Sequence, residues 1–113
     1  MTQSEYIEAV YKQLEAEGFK ITRRQTRQRF FAVDSKGAKY EFRIKYCVKP
    51  RKLEITDIGY MTSLMSNDAI NVLVTNGTDI TKFVGKRFKD DEVQVVLNWM
   101  PDNEIINQLH SVT

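Results

Sequence analysis

The chain has 113 residues, of which 42% are hydrophobic and 28% charged, and a net charge of +2. This length fits one domain with one core, which we expect to span residues 1–113. No apolar run approaches the length of a membrane span and no charged-then-apolar leader is present, so we expect a cytoplasmic protein without a membrane partner. With Cys47 and His110 as the sole cysteine and histidine, an internal disulfide is excluded, and a His-based triad or a Cys/His zinc cluster has too few ligands.

The first predicted element is a helix that Ser4 can cap and Gly18 can end. Its apolar residues follow the i, i+3, i+4, i+7 spacing of one buried face: Ile7, Val10, Tyr11 and Leu14. Residues 19–26 begin with alternating apolar and polar positions and continue as a polar run. This pattern predicts either a first strand and its turn or one long strand with a bulge.

Residues 39–47 alternate charged and apolar side chains, which predicts a strand with one buried face, placed centrally in the sheet. Residues 27–34 form another short, aromatic-rich run, and Gly37 in the intervening segment suits a three-residue hairpin loop. Pairing Asp34 with Ala38 across this loop fixes the predicted register. Phe30 then faces Phe42 on an apolar face.

The same register places Arg29 opposite Arg43 and Arg27 opposite Lys45 on the other face. Like charges directly opposite each other destabilise a sheet, so this face requires an anionic partner or a nearby carboxylate. Residues 18–52 contain twelve Lys and Arg against Asp34 and Glu41, a net +10, which leaves −8 for the rest of the chain. Charge concentrated in this way favours a phosphate-binding surface over a merely solvated one.

The second half alternates helices and strands. Spaced apolar residues predict a helix over 53–65, and the nearly continuous apolar run 69–75 predicts a strand covered on both faces. A short helix capped by Thr78 or Asp79, a strand over 93–97 and a last helix capped by Asp102 follow. The order α-β-β-β-α-β-α-β-α indicates a three-layer α/β domain with a mixed central sheet and a β-hairpin.

This order and its local cues resemble the Mrr branch of the restriction-endonuclease-like nucleases, named for their PD-(D/E)xK motif. The likeness covers most of the chain: Glu8 and the apolar helix that ends at Gly18, the strand 39–45 that ends in Lys45, the segment 74–83, and the closing strand and helix over 96–109. The resemblance implies a restriction-endonuclease-like fold, a nucleic-acid partner and a prokaryotic or phage origin.

The chain departs from the family at the metal-binding acids. The family places an acid on the first hairpin strand and a Gln or Glu two residues before the catalytic Lys, and these hold a divalent metal. Lys45 matches that Lys, but Arg43 stands at the Gln/Glu position and Arg29 or Phe30 stands where the first acid belongs. The resemblance therefore implies a retained fold with a lost metal site, and we expect no cofactor.

Three functions stay open. The favoured one is a nucleic-acid-binding protein, with DNA the expected partner over RNA, that does not cleave. An active Mg-dependent endodeoxyribonuclease would need migrated acids, with Lys45, Glu41 and Glu8 as catalytic residues. A protein-interaction module or homodimer, formed through the opposite charges, is the third. In the first function, the phosphate-binding residues are Arg23, Arg24, Arg27, Arg29, Arg43, Lys45, Lys49, Arg51 and Lys52.

Overall fold

The computed structural model describes residues 1–57 and 68–109. Residues 55–57 are helical, but the helix predicted over 53–65 starts too early, because Leu53 lies in a short strand with Lys52. Residues 58–65 of the predicted helix lie outside the described residues. The elements are α1 (Gln3–Ala16), β1 (Lys20–Thr26), β2 (Arg29–Val33), β3 (Lys39–Lys45), β4 (Lys52–Leu53), β5 (Ile70–Thr75), β6 (Asp79–Ile80), α2 (Lys82–Asp90), β7 (Val93–Val96) and a 3-10 turn (Ile106–Gln108).

The strands form a mixed five-stranded sheet in the order β1-β2-β3-β5-β7. β1, β2 and β3 are antiparallel, whereas β3, β5 and β7 run parallel. The two short strands β4 and β6 pair parallel in a separate sheet. The mixed α/β class and the central position predicted for β3 are therefore confirmed.

The predicted hairpin register is confirmed, with Phe30 paired to Phe42 and Arg29 to Arg43. Gly37 adopts a φ of 85°, the left-handed conformation that the loop between β2 and β3 requires. β1 is one long strand whose register shifts twice, which matches the bulged alternative. Because β1 continues to Thr26, Arg27 lies in a tight turn and not on the strand where it was predicted.

One face of the sheet packs against α1. Tyr6, Val10 and Leu14 of α1 are fully buried there, and the rings of Phe30 and Phe42 stack with centroids 5.5 Å apart. The helix begins in a capping box in which Thr2 accepts from the Glu5 amide, so the cap predicted at Ser4 is two residues too late. The hairpin thus packs against α1 through this aromatic core.

The opposite face has a smaller apolar cluster. Leu73 of β5 packs there with Val84 and Phe88 of α2, and Leu53 and Cys47 join them. α2 is capped by Thr81 and not by the predicted Thr78 or Asp79, which belong to the connection and strand before it. The last predicted helix is only the short 3-10 turn.

The parallel strands β3, β5 and β7 end at the same side of the sheet, which we call the carboxyl edge. Lys45, Thr75 and Val96 mark it. The segment after β7 folds back over this edge, since the Trp99 amide donates to the Thr75 carbonyl at 3.0 Å and the Tyr6 hydroxyl donates to the Trp99 carbonyl at 2.9 Å. Among the described residues, no helix has the length and apolar character needed to cross a membrane.

Candidate nucleic-acid interface

A buried ion-pair cluster lies on the α2-facing side of the hairpin. Glu41 is 0% exposed, and its Oε2 accepts from Arg29 Nε at 3.1 Å and pairs with Arg43 Nη2 at 2.5 Å. All three side chains alternate onto this face because residues 29, 41 and 43 share it in the paired strands. The nearby carboxylate that the opposed arginines require is therefore supplied by the strand itself. We call these three residues the triad.

The triad extends towards β5. Asn71 is paired to Glu41 across the β3–β5 ladder, and its Oδ1 accepts from Arg43 Nη1 at 3.4 Å. Arg43 is 5% exposed, whereas Glu41 Oε1 has no hydrogen-bond partner among the described residues. Arg43, which was predicted to contact phosphate, is therefore buried.

The residues on this face do not fit a divalent metal. Glu41 lies between two guanidinium groups that would repel such a cation. Glu8, the other acid considered for catalysis, lies on α1 and pairs with Arg27 at 3.5 Å, across the sheet from Glu41. Within residues 1–57 and 68–109, no group of three or more His, Cys, Asp or Glu could hold a metal ion. Glu8, Glu41 and Lys45 are thus not brought together.

The predicted row of four cations on one face is not formed. Arg27 does not lie with the other three cations. Its guanidinium lies beside α1, where it donates to Ser4 Oγ at 2.8 Å and pairs with Glu8. The Arg27 carbonyl also accepts from the Tyr11 hydroxyl, which fixes the turn against the helix. The cause is the longer β1, which moves residue 27 from the ladder into the turn.

Two more predicted residues lie on the outer strand. Arg23 and Arg24 are exposed on β1, and the Arg24 guanidinium stacks 4.6 Å from the centroid of the Tyr11 ring. Such a cation–π contact orders the side chain while leaving part of its charge accessible. Arg24 therefore lies on the α1 side of the sheet, whereas Arg23, paired to Phe31, lies on the opposite side, so the two arginines do not share one face.

The remaining predicted cations share one loop. Residues 45–52, which we call the basic loop, connect β3 to β4 at the carboxyl edge and contain no acid. Lys49, Arg51 and Lys52 are exposed, whereas the Lys45 side chain is 29% exposed. Ligands of open α/β sheets bind outside the carboxyl ends of the strands, so these cations occupy the position where a ligand is expected.

The basic loop is anchored to the segment that follows β5. The buried Asn76 side chain accepts from the Cys47 amide at 2.7 Å and donates to the Cys47 carbonyl at 2.8 Å. The Thr78 amide donates to the Arg51 carbonyl at 3.0 Å. A Cβ at Gly77 would lie 3.2 Å from the Arg51 carbonyl and 3.0 Å from Leu53, so glycine permits this close approach. The backbone of the loop is therefore held at both ends.

Asp57 orders the cations at the end of the loop. Its carboxylate accepts two hydrogen bonds from Arg51, at 2.6 and 2.8 Å, and one from the Glu54 amide at 2.8 Å, and Lys45 Nζ lies 3.9 Å away. The hydrogen bonds from Arg51 lower the pKa of Asp57 from its ordinary 3.8 to about 2. Arg51 in turn has a raised pKa because of Asp57.

This pairing predicts an acid-sensitive contribution to stability. The pKa of Asp57 is lower in the folded chain than in the unfolded one, so the contribution is complete above about pH 4 and is lost as the pH falls towards 2. Asp57→Asn should therefore lower the free energy of unfolding at pH 7, and the difference from the wild type should shrink as the pH falls through this range. Urea denaturation of both proteins across pH measures it. A difference that stays constant with pH would contradict the pairing.

Sequence reasoning missed three residues of this region. Asn76 directly follows the predicted strand 69–75, and Asp57 lies within the helix predicted over 53–65, and the sequence analysis assigned no role to either residue. Asn71 carried a usable signal, since an amide inside the otherwise apolar run 69–75 indicates a polar partner on one face. Nothing in the local pattern reveals the other two, because their partners lie 29 and 6 positions away in sequence.

Comparison with known proteins shows the fold alone. No protein-family model matches the chain, and a search of curated proteins finds no relative. Among solved structures, the apo form of the endonuclease EndoMS is similar, with a TM-score of 0.56 and 14% sequence identity. The similarity covers 93% of this chain and 47% of the EndoMS chain, so this chain spans about half of that protein's length. The chain therefore shares its fold with part of EndoMS.

Proposed function

We propose that this chain is a nucleic-acid-binding protein with a degenerate Mrr-type nuclease fold, in which the basic loop contacts DNA phosphates and no phosphodiester bond is cleaved. The three-layer arrangement of the restriction-endonuclease-like group is part of this proposal. Its support is the fold shared with part of the endonuclease EndoMS, together with the mixed sheet and the helices α1 and α2 packed against opposite faces.

The observation that carries the proposal is the triad. On the sheet face beside Lys45, the Glu41 carboxylate is held by Arg29 and Arg43 at 3.1 and 2.5 Å. Both guanidinium groups contact Oε2, and although Oε1 has no hydrogen-bond partner among the described residues, the two positive charges beside the carboxylate offset its charge and repel a divalent cation. A site that cannot bind the metal lacks the charge stabilisation that metal-dependent phosphodiester hydrolysis needs.

Binding itself is proposed to use the exposed cations. Lys49, Arg51 and Lys52 lie on an anchored loop at the carboxyl edge, with Lys45 at its base. Arg51 can present a planar guanidinium to phosphate while Asp57 fixes its position. Arg23 and Arg24 are further exposed cations on β1, on opposite faces of the sheet, and Arg27 in the following turn is paired with Glu8. Arg29 and Arg43 instead act within the triad.

Fluorescence anisotropy across salt tests the proposal, with a short labelled DNA duplex and an RNA duplex of the same sequence. Four phosphate contacts from the basic loop predict a slope of log affinity against log salt of about −3 to −4 for DNA. The affinity should change little with DNA sequence, because phosphates carry no sequence information directly. Absent binding at low salt, or affinity independent of salt, would contradict the proposal.

Light scattering at the same salt concentrations addresses self-association. A homodimer held by the opposite charges of the two parts of the chain should dissociate as salt rises, because screening weakens contacts between exposed charges. A DNA-binding monomer should keep one mass throughout. A salt-sensitive dimer that fails to bind DNA would favour the interaction module over the proposed function.

A further inference from the structure

The most exposed apolar side chain described in the basic loop is Val48, which is 86% exposed. It directly follows Cys47, which is 4% exposed and joined to Asn76 by two hydrogen bonds. The chain therefore passes from a buried residue to an exposed segment in one step. We call this segment, residues 48–50, the tip. Exposure of this extent means that the Val48 side chain contributes little to the folded core.

The tip projects from a fixed base. Asn76 holds the residue before it, and the Thr78 amide and the Asp57 carboxylate hold Arg51 just after it. Pro50 restricts its own φ to about −65° and removes a backbone donor. A three-residue segment held at both ends and stiffened by proline loses little conformational entropy when it meets a partner.

The charges around the tip indicate the chemistry of that partner. Lys49 lies within the tip, Arg51 and Lys52 follow it, and the loop contains no acid. An apolar side chain among cations is poorly suited to another apolar protein surface, because docking would desolvate the charges. It is well suited to a groove of duplex DNA, where phosphates line the rims and stacked base edges form the floor.

Resting on the proposed function, we propose that Val48 inserts as an apolar wedge at a base step of duplex DNA while Lys49 and Lys52 bind the flanking phosphates. Proteins that use apolar wedges partly unstack the step that they enter. The tip would thus couple phosphate binding to local deformation of the duplex. Flexible pyrimidine–purine steps should be entered most readily, because they unstack at the lowest cost.

A duplex that contains 2-aminopurine at a TA step tests the proposal, since the fluorescence of this base rises when it is unstacked. Saturating wild-type protein should raise the emission at least twofold. Val48→Ser should keep the salt dependence of binding but lose most of the rise. Phe83→Ser, which removes another exposed apolar side chain (64% exposed) on α2, is the matched control and should keep the rise.

The outcomes separate the two proposals. A rise that persists in Val48→Ser, or a saturated wild-type complex without any rise, overturns the wedge while leaving phosphate binding intact. A protein that does not bind the duplex at low salt overturns the proposed function and the wedge with it. Thermal unfolding of both variants shows whether they remain folded, as the exposure of both side chains predicts.

Discussion

Glu41→Gln is expected to lower the free energy of unfolding by about 3 kcal/mol, because breaking a buried ion pair leaves its partners' charge uncompensated. Glu41 is 0% exposed and its Oε2 contacts both Arg29 and Arg43. The substitution conserves shape, so the loss reports charge and not a cavity. Urea denaturation at neutral pH measures it.

A matched exposed substitution serves as the control. Glu15→Gln removes the same charge from the solvent-facing side of α1 and should change the free energy of unfolding by less than about 0.5 kcal/mol. A triple variant with methionine at positions 29, 41 and 43 should recover part of the loss, since no charge of the triad is then left uncompensated. Equal stability of Glu41→Gln and the wild type would contradict the triad.

Lys49→Ala/Lys52→Ala is expected to weaken DNA binding at least tenfold at low salt and to reduce the salt slope by about 2, because each phosphate contact contributes about 0.9 to it. Both lysines are exposed at the carboxyl edge, so the double variant should fold normally. Fluorescence anisotropy across salt measures the affinity and the slope together.

The control for this variant has the same change of charge at the other end of the sheet. Lys36→Ala/Lys39→Ala alters two exposed lysines at the β2–β3 turn and the start of β3, far along the strand from the basic loop. This control variant should lower the affinity for DNA by less than threefold and keep most of the slope of log affinity against log salt. Equal effects of the two double variants would show that net charge, and not the basic loop, governs binding.

The sequence determined the hairpin correctly because its pattern has only one consistent register. Alternating residues over 39–47 and the aromatic run before them form an apolar face when Phe30 pairs with Phe42, and a slip by one residue would split both faces. The same pattern placed the charges of Arg29, Arg43 and Glu41 together. The sequence could not show their burial, which depends on what packs over that face.

The turn before the hairpin shows where sequence reasoning failed. The polar residues 23–26 have no periodic apolar signal, and either a turn or a bulged strand suits them. The structure continues β1 through Thr26, so Arg27 moves to the α1 side and contacts Glu8. Contacts with Tyr11 and Ser4, 16 and 23 positions away, fix that turn. Such distant contacts leave no mark on the local pattern.

The cations of the basic loop are evident in the sequence, and Pro50, which has no backbone donor, is outside the strands of the central sheet, as expected for proline. The anchoring of the loop was not predictable, because it depends on distant contacts with Asp57, in the helical residues 55–57, and with Asn76 and Gly77, which follow β5. Composition thus located the cations, whereas the tertiary structure separates those that are buried from those that a ligand can reach.

Binding without cleavage is most directly tested in one experiment, in which a labelled DNA duplex is saturated with wild-type protein at low salt and incubated with Mg²⁺ or Mn²⁺. Anisotropy reports binding, and a denaturing gel of the same sample reports cleavage. We predict a fully bound and intact duplex with either metal. Metal-dependent cleavage that Lys45→Ala abolishes would contradict the degenerate site and establish an active nuclease.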